Sequence, residues 1–237
     1  SLGDDFARVD RAAVLRAVGG LQQTNGSFAA TSDGSECDMR FLYCACAICT
    51  FLDDWSTVDT DLALNYINSC KSFDGGFGLL PQQESHGGST FCATAALVLM
   101  GRLDECLPGP ERDDLVRWCL HRQIGGFQGR VNKVADTCYS FWVGGTLKLL
   151  GELPLVSADD TSAFVATCEK KYTGGFSKTA DDDHPDILHS FYSLCWFSLI
   201  EDQSRALRRL DPALATCEGG NRTHAIEGGG GEGGAEA

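Results

Sequence analysis

Four times along its 237 residues the chain closes a glycine-containing turn with phenylalanine: Asn25-Gly26-Ser27-Phe28, Gly75-Gly76-Phe77, Gly125-Gly126-Phe127 and Gly174-Gly175-Phe176. The phenylalanines stand 49, 50 and 49 residues apart. So even a period marks a repeated supersecondary unit, and it constrains the fold more than any other feature. A helix-like segment precedes each turn, over Val9 to Gln22, Asp59 to Lys71, Glu111 to Gln123 and Ala158 to Lys170. After each turn come a polar loop and a second helix, over Asp38 to Leu52, Ser89 to Met100, Asp136 to Leu150 and Asp186 to Ile200.

The second helices are apolar nearly all round, as in Phe91, Ala95, Leu97 and Val98, whereas the first are amphipathic, with Leu62, Leu64 and Ile67 among Asp and Asn. Such pairs bury their apolar faces only by stacking on neighbours. The natural closure is an all-α, α/α barrel with the apolar helices as inner ring; a superhelical solenoid has the same periodicity. Past Asp211 the repeat fades. The Gly- and Glu-rich stretch from Glu218 to Ala237 is expected to be disordered, leaving residues 1–211 as the domain.

A net charge of −14 argues against bulk electrostatic binding to nucleic acid or a membrane surface, and no apolar run reaches the length of a membrane span. Twelve cysteines are scattered, with no CxxC…CxxC pair of motifs. They suit small core positions in a reducing compartment, the cytoplasm, better than a disulfide framework.

Aligned on the four phenylalanines, the polar residues fall where each inner helix begins. The loops supply Glu36, Asp38 and Arg40; then Glu84, Ser85, His86, Gly87 and Gly88; then Arg130, Lys133, Asp136 and Cys138; and finally Lys178, His184, Asp186 and His189. If the inner helices run parallel around a ring, these loops share one mouth. Helix N-termini with Arg130, Lys133 and His86 there suit a phosphate, and Gly87 and Gly88 permit close backbone approach. Asp136, Cys138 and His189 offer a carboxylate, a thiolate and an imidazole, three ligands that leave one tetrahedral position of zinc open. Asp136 and Cys138 converge only if the helix starts between them, with Asp136 as cap. A plain cap, a hydrogen-bonded core histidine and solvated loop cations are the structural alternatives.

Four stretches carry a family resemblance: Gly34 to Arg40, Glu84-Ser85-His86-Gly87-Gly88-Ser89-Thr90-Phe91-Cys92, Asp136-Thr137-Cys138-Tyr139-Ser140-Phe141-Trp142 and His184 to His189. In order and spacing they resemble the β-subunit of protein prenyltransferases, most closely of the type I geranylgeranyl enzyme. The resemblance implies an α/α barrel working with a separate α-subunit. It also implies that four of about six hairpins are present, an N-terminal part being absent.

The same resemblance implies one Zn²⁺ held by Asp136, Cys138 and His189, and diphosphate contacts from His86, Gly87, Gly88, Arg130, Val131, Asn132, Lys133 and Tyr139. Arg40, Tyr43, Cys92, Ser140, Phe141 and Trp142 match isoprenoid-binding positions, and Leu188 a peptide contact. Lys178 resembles a lysine that takes the place of a magnesium ion, so Mg²⁺ is not expected to be required. The implied substrates are geranylgeranyl diphosphate and CaaX-ending proteins such as Rho-, Rac- or Rap-type small GTPases. Ser89 and Leu188 follow the geranylgeranyl pattern, and Tyr192 follows the farnesyl one. The remaining readings are a farnesyltransferase β-subunit, a non-catalytic peptide-binding scaffold, and an α/α barrel cyclase or glycosidase using Asp38, Asp136 and Asp186.

Overall fold

The computed structural model describes residues 6–217; the expected disordered stretch 218–237 lies outside them. Four helical hairpins follow one another. Outer helices α1 (Arg11–Gly20), α3 (Thr60–Ser69), α6 (Gly109–Leu120) and α8 (Ala158–Thr167) alternate with inner helices α2 (Met39–Leu52), α4 (Gly87–Met100), α7 (Thr137–Leu149) and α9 (Ile187–Leu199). A single-turn helix, α5 (Leu103–Cys106), links α4 to α6. Within the third turn β1 (Gln123–Ile124) pairs antiparallel with β2 (Gly126–Phe127), and near the end β3 (Leu210–Asp211) pairs with β4 (Thr216–Cys217).

The repeated turn works through local stereochemistry. Gly26, Gly75, Gly125 and Gly174, each two residues before the phenylalanine, all have positive φ, at 89°, 96°, 97° and 74°. A side chain is strained in that region. At Gly26 a Cβ would also lie 1.9 Å from the Leu62 carbonyl oxygen of the next outer helix. The turn therefore brings Phe28, Phe77, Phe127 and Phe176 into the core, each no more than 3% exposed. Burial of such a side chain stabilises the fold by about 1.5–3 kcal/mol.

Inner helices pack in sequence, α2 on α4, α4 on α7 and α7 on α9, and each outer helix lies against its neighbours outside. Helix α4 is buried from Ser89 through Leu97, in keeping with its all-round apolarity. All four inner helices are capped by the residues that the repeat places at their starts. Asp38 accepts from the Arg40 amide, His86 from Gly88, Asp136 from Cys138 and Asp186 from His189. These bonds use first-turn donors that have no partner within the helix.

The N-termini are also joined to one another. The first amide of α2 (Met39) donates to the carbonyl of Leu79, that of α4 (Gly87) to Gly129, and that of α7 (Thr137) to Lys178. Each acceptor lies two residues past the phenylalanine of the following repeat. All four helices thus begin at one end of the ring. Packing continues past Asp211: Ala213 and Leu214 are buried, and the Tyr43 hydroxyl of α2 donates to the Ala213 carbonyl at 2.8 Å. This terminal hairpin, which also packs on α9, returns the chain to the first inner helix.

Candidate active site

At the start of α7, the helix begins between Asp136 and Cys138, and both side chains are buried at 5% and 7% exposure. From α9, His189 brings its Nε2 to 3.4 Å from Asp136 Oδ1. One ligand atom from each of Asp136, Cys138 and His189 falls within 4.8 Å of the other two. Burial first, then the charge and hydrogen bond of Asp136, push the Cys138 thiol well up, with Lys178 opposing. A thiolate here is unfavourable unless a cation lies among the three donors. The mixed sulfur, nitrogen and oxygen set fits such an ion, and zinc above the hard oxygen-seeking cations.

One contributor escaped the sequence reading of the ligand set. Asp186 caps α9 through Oδ1, and its Oδ2 lies 2.6 Å from His189 Nδ1. A carboxylate at Nδ1 fixes the ring orientation and turns Nε2 toward Asp136 and Cys138. Its hydrogen bonds to the His189 amide and ring hold the Asp186 carboxyl below the usual range. The three-residue spacing from cap to histidine was the available signal.

Next to these residues is a recess lined by His86, Gly129, Arg130, Lys133, Val134, Asp136, Tyr139 and Lys178. Lys178 Nζ lies 3.7 Å from Asp136 Oδ2, and Arg130 pairs with Glu84 at 3.2 Å. Because the Gly88 amide donates to His86 Nδ1, the ring proton of the neutral imidazole sits on Nε2, 2.9 Å from the Tyr139 hydroxyl. Burial, then the Arg130 charge, pull the His86 pKa down against Glu84. His86 is therefore a neutral donor that leaves the Tyr139 hydrogen free for an anion, in place of the extra positive charge its sequence position suggested.

The two glycines after His86 divide the work. Gly88 borders the larger cavity described below, while a Cβ at Gly87 would meet Tyr139 Cδ1 at 2.9 Å and Val143 Cγ2 at 3.1 Å. Gly87 serves the close approach of α4 to α7. Lys133 lines the recess, but Val131 and Asn132 are exposed in the loop and line neither space.

A cavity of about 800 Å³ opens beside the recess and shares His86 and Arg130 with it. Arg40, Tyr43, Cys92 and Trp142, the positions that the resemblance matched to an isoprenoid cavity, line it; so do Cys44, Leu79, Gln83, Glu84, Ser89 and Tyr192. Cys44 follows Arg40 by one helical turn, a spacing that puts both on one face of α2. Arg40 is tied to Asp38 at 2.6 Å and to Glu36 at 3.0 Å. Trp142 packs 4.3 Å from the Tyr192 ring and 5.0 Å from Phe91. Phe141 is fully buried behind this wall, stacked on Tyr192 at 5.1 Å, and Ser140 is buried without a hydrogen-bond partner for its hydroxyl. Leu188 is half exposed at the start of α9 and lines neither space. Among the described residues, no helix is long and apolar enough to cross a membrane.

Comparison with known proteins gives this arrangement its family. Residues 1–216 match the model of the prenyltransferase alpha-alpha toroid domain. The chain is 46% identical over 211 residues to the geranylgeranyl transferase type-1 subunit beta of Arabidopsis thaliana, covering 85% of this chain and 56% of that protein. With the Dictyostelium discoideum subunit of the same name, identity is 39% over 198 residues, covering 83% and 55%. The chain thus spans about half the length of these curated relatives. Among solved structures it superimposes on Candida albicans protein geranylgeranyltransferase-I complexed with GGPP, with a TM-score of 0.78 and 26% identity, over 89% of this chain and 66% of that one. The chain belongs to the prenyltransferase alpha-alpha toroid family and is similar to type-1 geranylgeranyl transferase beta subunits.

Proposed function

We propose that this chain forms the reaction centre of a type I protein geranylgeranyltransferase β-subunit. It would transfer a geranylgeranyl group from geranylgeranyl diphosphate to the C-terminal CaaX cysteine of a protein, in a heterodimer with a separate α-subunit. One observation carries the reading: the Asp136–Cys138–His189 group, a recess lined by Arg130, Lys133 and Lys178, and an aromatic-walled cavity adjoin one another at one end of the ring. A thiol alkylation by a prenyl diphosphate needs those three environments side by side.

Asp136, Cys138 and His189 would hold a zinc ion, with Asp186 orienting His189. Bound there, zinc supplies the Lewis acidity that keeps a substrate thiol ionised at neutral pH, where a free cysteine with a pKa of about 8.5 is mostly protonated. The sulfur forms a bond to C1 of the prenyl chain as the C1–O bond breaks, and the electron pair leaves with the diphosphate. Arg130, Lys133 and the Tyr139 hydroxyl, directed by His86, stabilise that growing charge. Lys178 adds a fixed cation where a magnesium ion would otherwise serve, so no magnesium requirement is expected. Tyr43, Cys92, Trp142 and Tyr192 enclose the lipid and exclude water. Cytoplasmic residence and substrates of the Rho, Rac and Rap type belong to the same proposal.

A shorter lipid is the second reading, favoured by Tyr192, whose ring lines the cavity. The test is co-expression of the full-length chain with an α-subunit, offering farnesyl and geranylgeranyl diphosphate to peptides ending in Leu or Ser. Preference for geranylgeranyl and Leu is expected, with zinc content and transfer both lost in Cys138→Ala. Preference for farnesyl and Ser, or normal zinc and turnover in that variant, overturns the assignment.

A further inference from the structure

Arg122, just past α6, is only 7% exposed, and its Nε and Nη1 are buried without a hydrogen-bond partner. Its guanidinium lies 4.9 Å from the Trp118 ring. Trp118 Nε1 donates to Asp74 at 3.0 Å, and Asp74 also accepts from the Ser85 hydroxyl. Through Trp118 and Asp74 the arginine is therefore linked to Ser85, whose neighbours Glu84 and His86 line the cavity, His86 lining the anion recess as well. Burial pulls its pKa down, and Asp74, Cys119 and then Glu84 oppose that shift. Leaving a buried guanidinium with open donors is unfavourable, so such a group is expected to acquire a partner in some state of the protein.

Glu84 is the carboxylate whose partner is due to change. It now pairs with Arg130 at 3.2 Å, with both side chains about half exposed. An anion held by Arg130 would strip Glu84 of its cation and repel it. We propose that Glu84 exchanges partners on ligand binding, leaving Arg130 for the buried Arg122, which makes Arg122 a positioning residue for the anion-binding loop. The proposal rests on the reading of Arg130 as a diphosphate contact.

The test uses the heterodimer of the full-length chain and inorganic diphosphate as probe, with affinities measured by titration calorimetry. Arg130→Gln should weaken binding about tenfold, and Glu84→Gln should tighten it about threefold by removing a competitor for Arg130. Arg122→Met should weaken binding about fivefold alone, and by less than twofold when combined with Glu84→Gln. A loss of the same size in both backgrounds assigns Arg122 to folding alone and overturns the exchange; so does no loss in either. If Arg122→Met fails to fold, Arg122→Lys replaces it, with about a twofold loss expected that vanishes with Glu84→Gln; a loss that persists overturns the proposal. Unchanged binding in Arg130→Gln overturns the anion-site reading itself, an outcome distinct from failure of the Arg122 cycle.

Discussion

Helices α7 and α9 both begin on an aspartate that accepts a first-turn amide, yet the two carboxylates have opposite surroundings. Asp136 is buried with Cys138 and reaches His189 directly, whereas the Asp186 side chain is 48% exposed and reaches the same centre only through the histidine it holds. On the proposed zinc reading, one capping geometry yields a ligand where the helix start is interior and a support where it lies at the rim. Depth, and not the cap itself, separates the two roles.

Zinc affinity is the sharpest way to break this comparison. Asp186→Asn keeps the cap and should cost roughly 10- to 100-fold in zinc affinity, the range typical of a supporting partner. Asp136→Asn, also cap-preserving, should cost more than that range, because it removes a charged ligand. Chelator competition on the two variants settles the order, and equal losses would erase the distinction between ligand and support.

A smaller effect isolates the cap. In metal-free protein, Asp186→Ala should lower stability by about 1 kcal/mol while Asp186→Asn leaves it nearly unchanged. Urea denaturation of both measures this; equal destabilisation would mean that the His189 contact, and not the helix end, is what Asp186 stabilises.

The smallest effect concerns the one inner helix capped by a histidine. The folded-state pKa of His86 is depressed, so below about pH 6.5 the unfolded chain takes up its proton first and the folded state loses stability. That loss grows as pH falls toward the folded-state pKa and is absent above about pH 6.5. His86→Asn keeps a capping side chain and should flatten the melting temperature in that window. An unchanged slope would show that His86 does not differ from the carboxylate caps in this respect.

The sequence shows the frame plainly because its determinants are local. Positive-φ glycines, buried phenylalanines and capping residues act within a few positions of the chain, and the helix starts at Met39, Thr137 and Ile187 fall within one residue of those read from the sequence. Convergence of Asp136, Cys138 and His189 was legible for the same reason, through repeat register. Cavity walls are harder to read, since they depend on how one repeat rotates against the next. On α7, Cys138 and Trp142 are one turn apart, so Ser140 and Phe141 between them point elsewhere, and Phe141 meets Tyr192 of α9. Gln83 comes from a loop without periodicity, and the two buried nitrogens of Arg122 that lack a hydrogen bond are visible only in three dimensions.

The bonds from the Met39, Gly87 and Thr137 amides to the carbonyls of Leu79, Gly129 and Lys178 use main-chain atoms alone. The bonds themselves need no side chain, although a Cβ at Gly129 or Gly87 would run into Tyr139, so the gauge of the ring does not depend on which side chains occupy the intervening loops. Residues 80–84, 131–134 and 179–185 are then inserts in a fixed mounting, to which the buried Ser85, bonded to Asp74, belongs. Ligand preference can be rewritten there by substitution while the mounting keeps its dimensions. An added residue between Phe127 and Gly129, by contrast, would shift the α4 attachment point relative to the core.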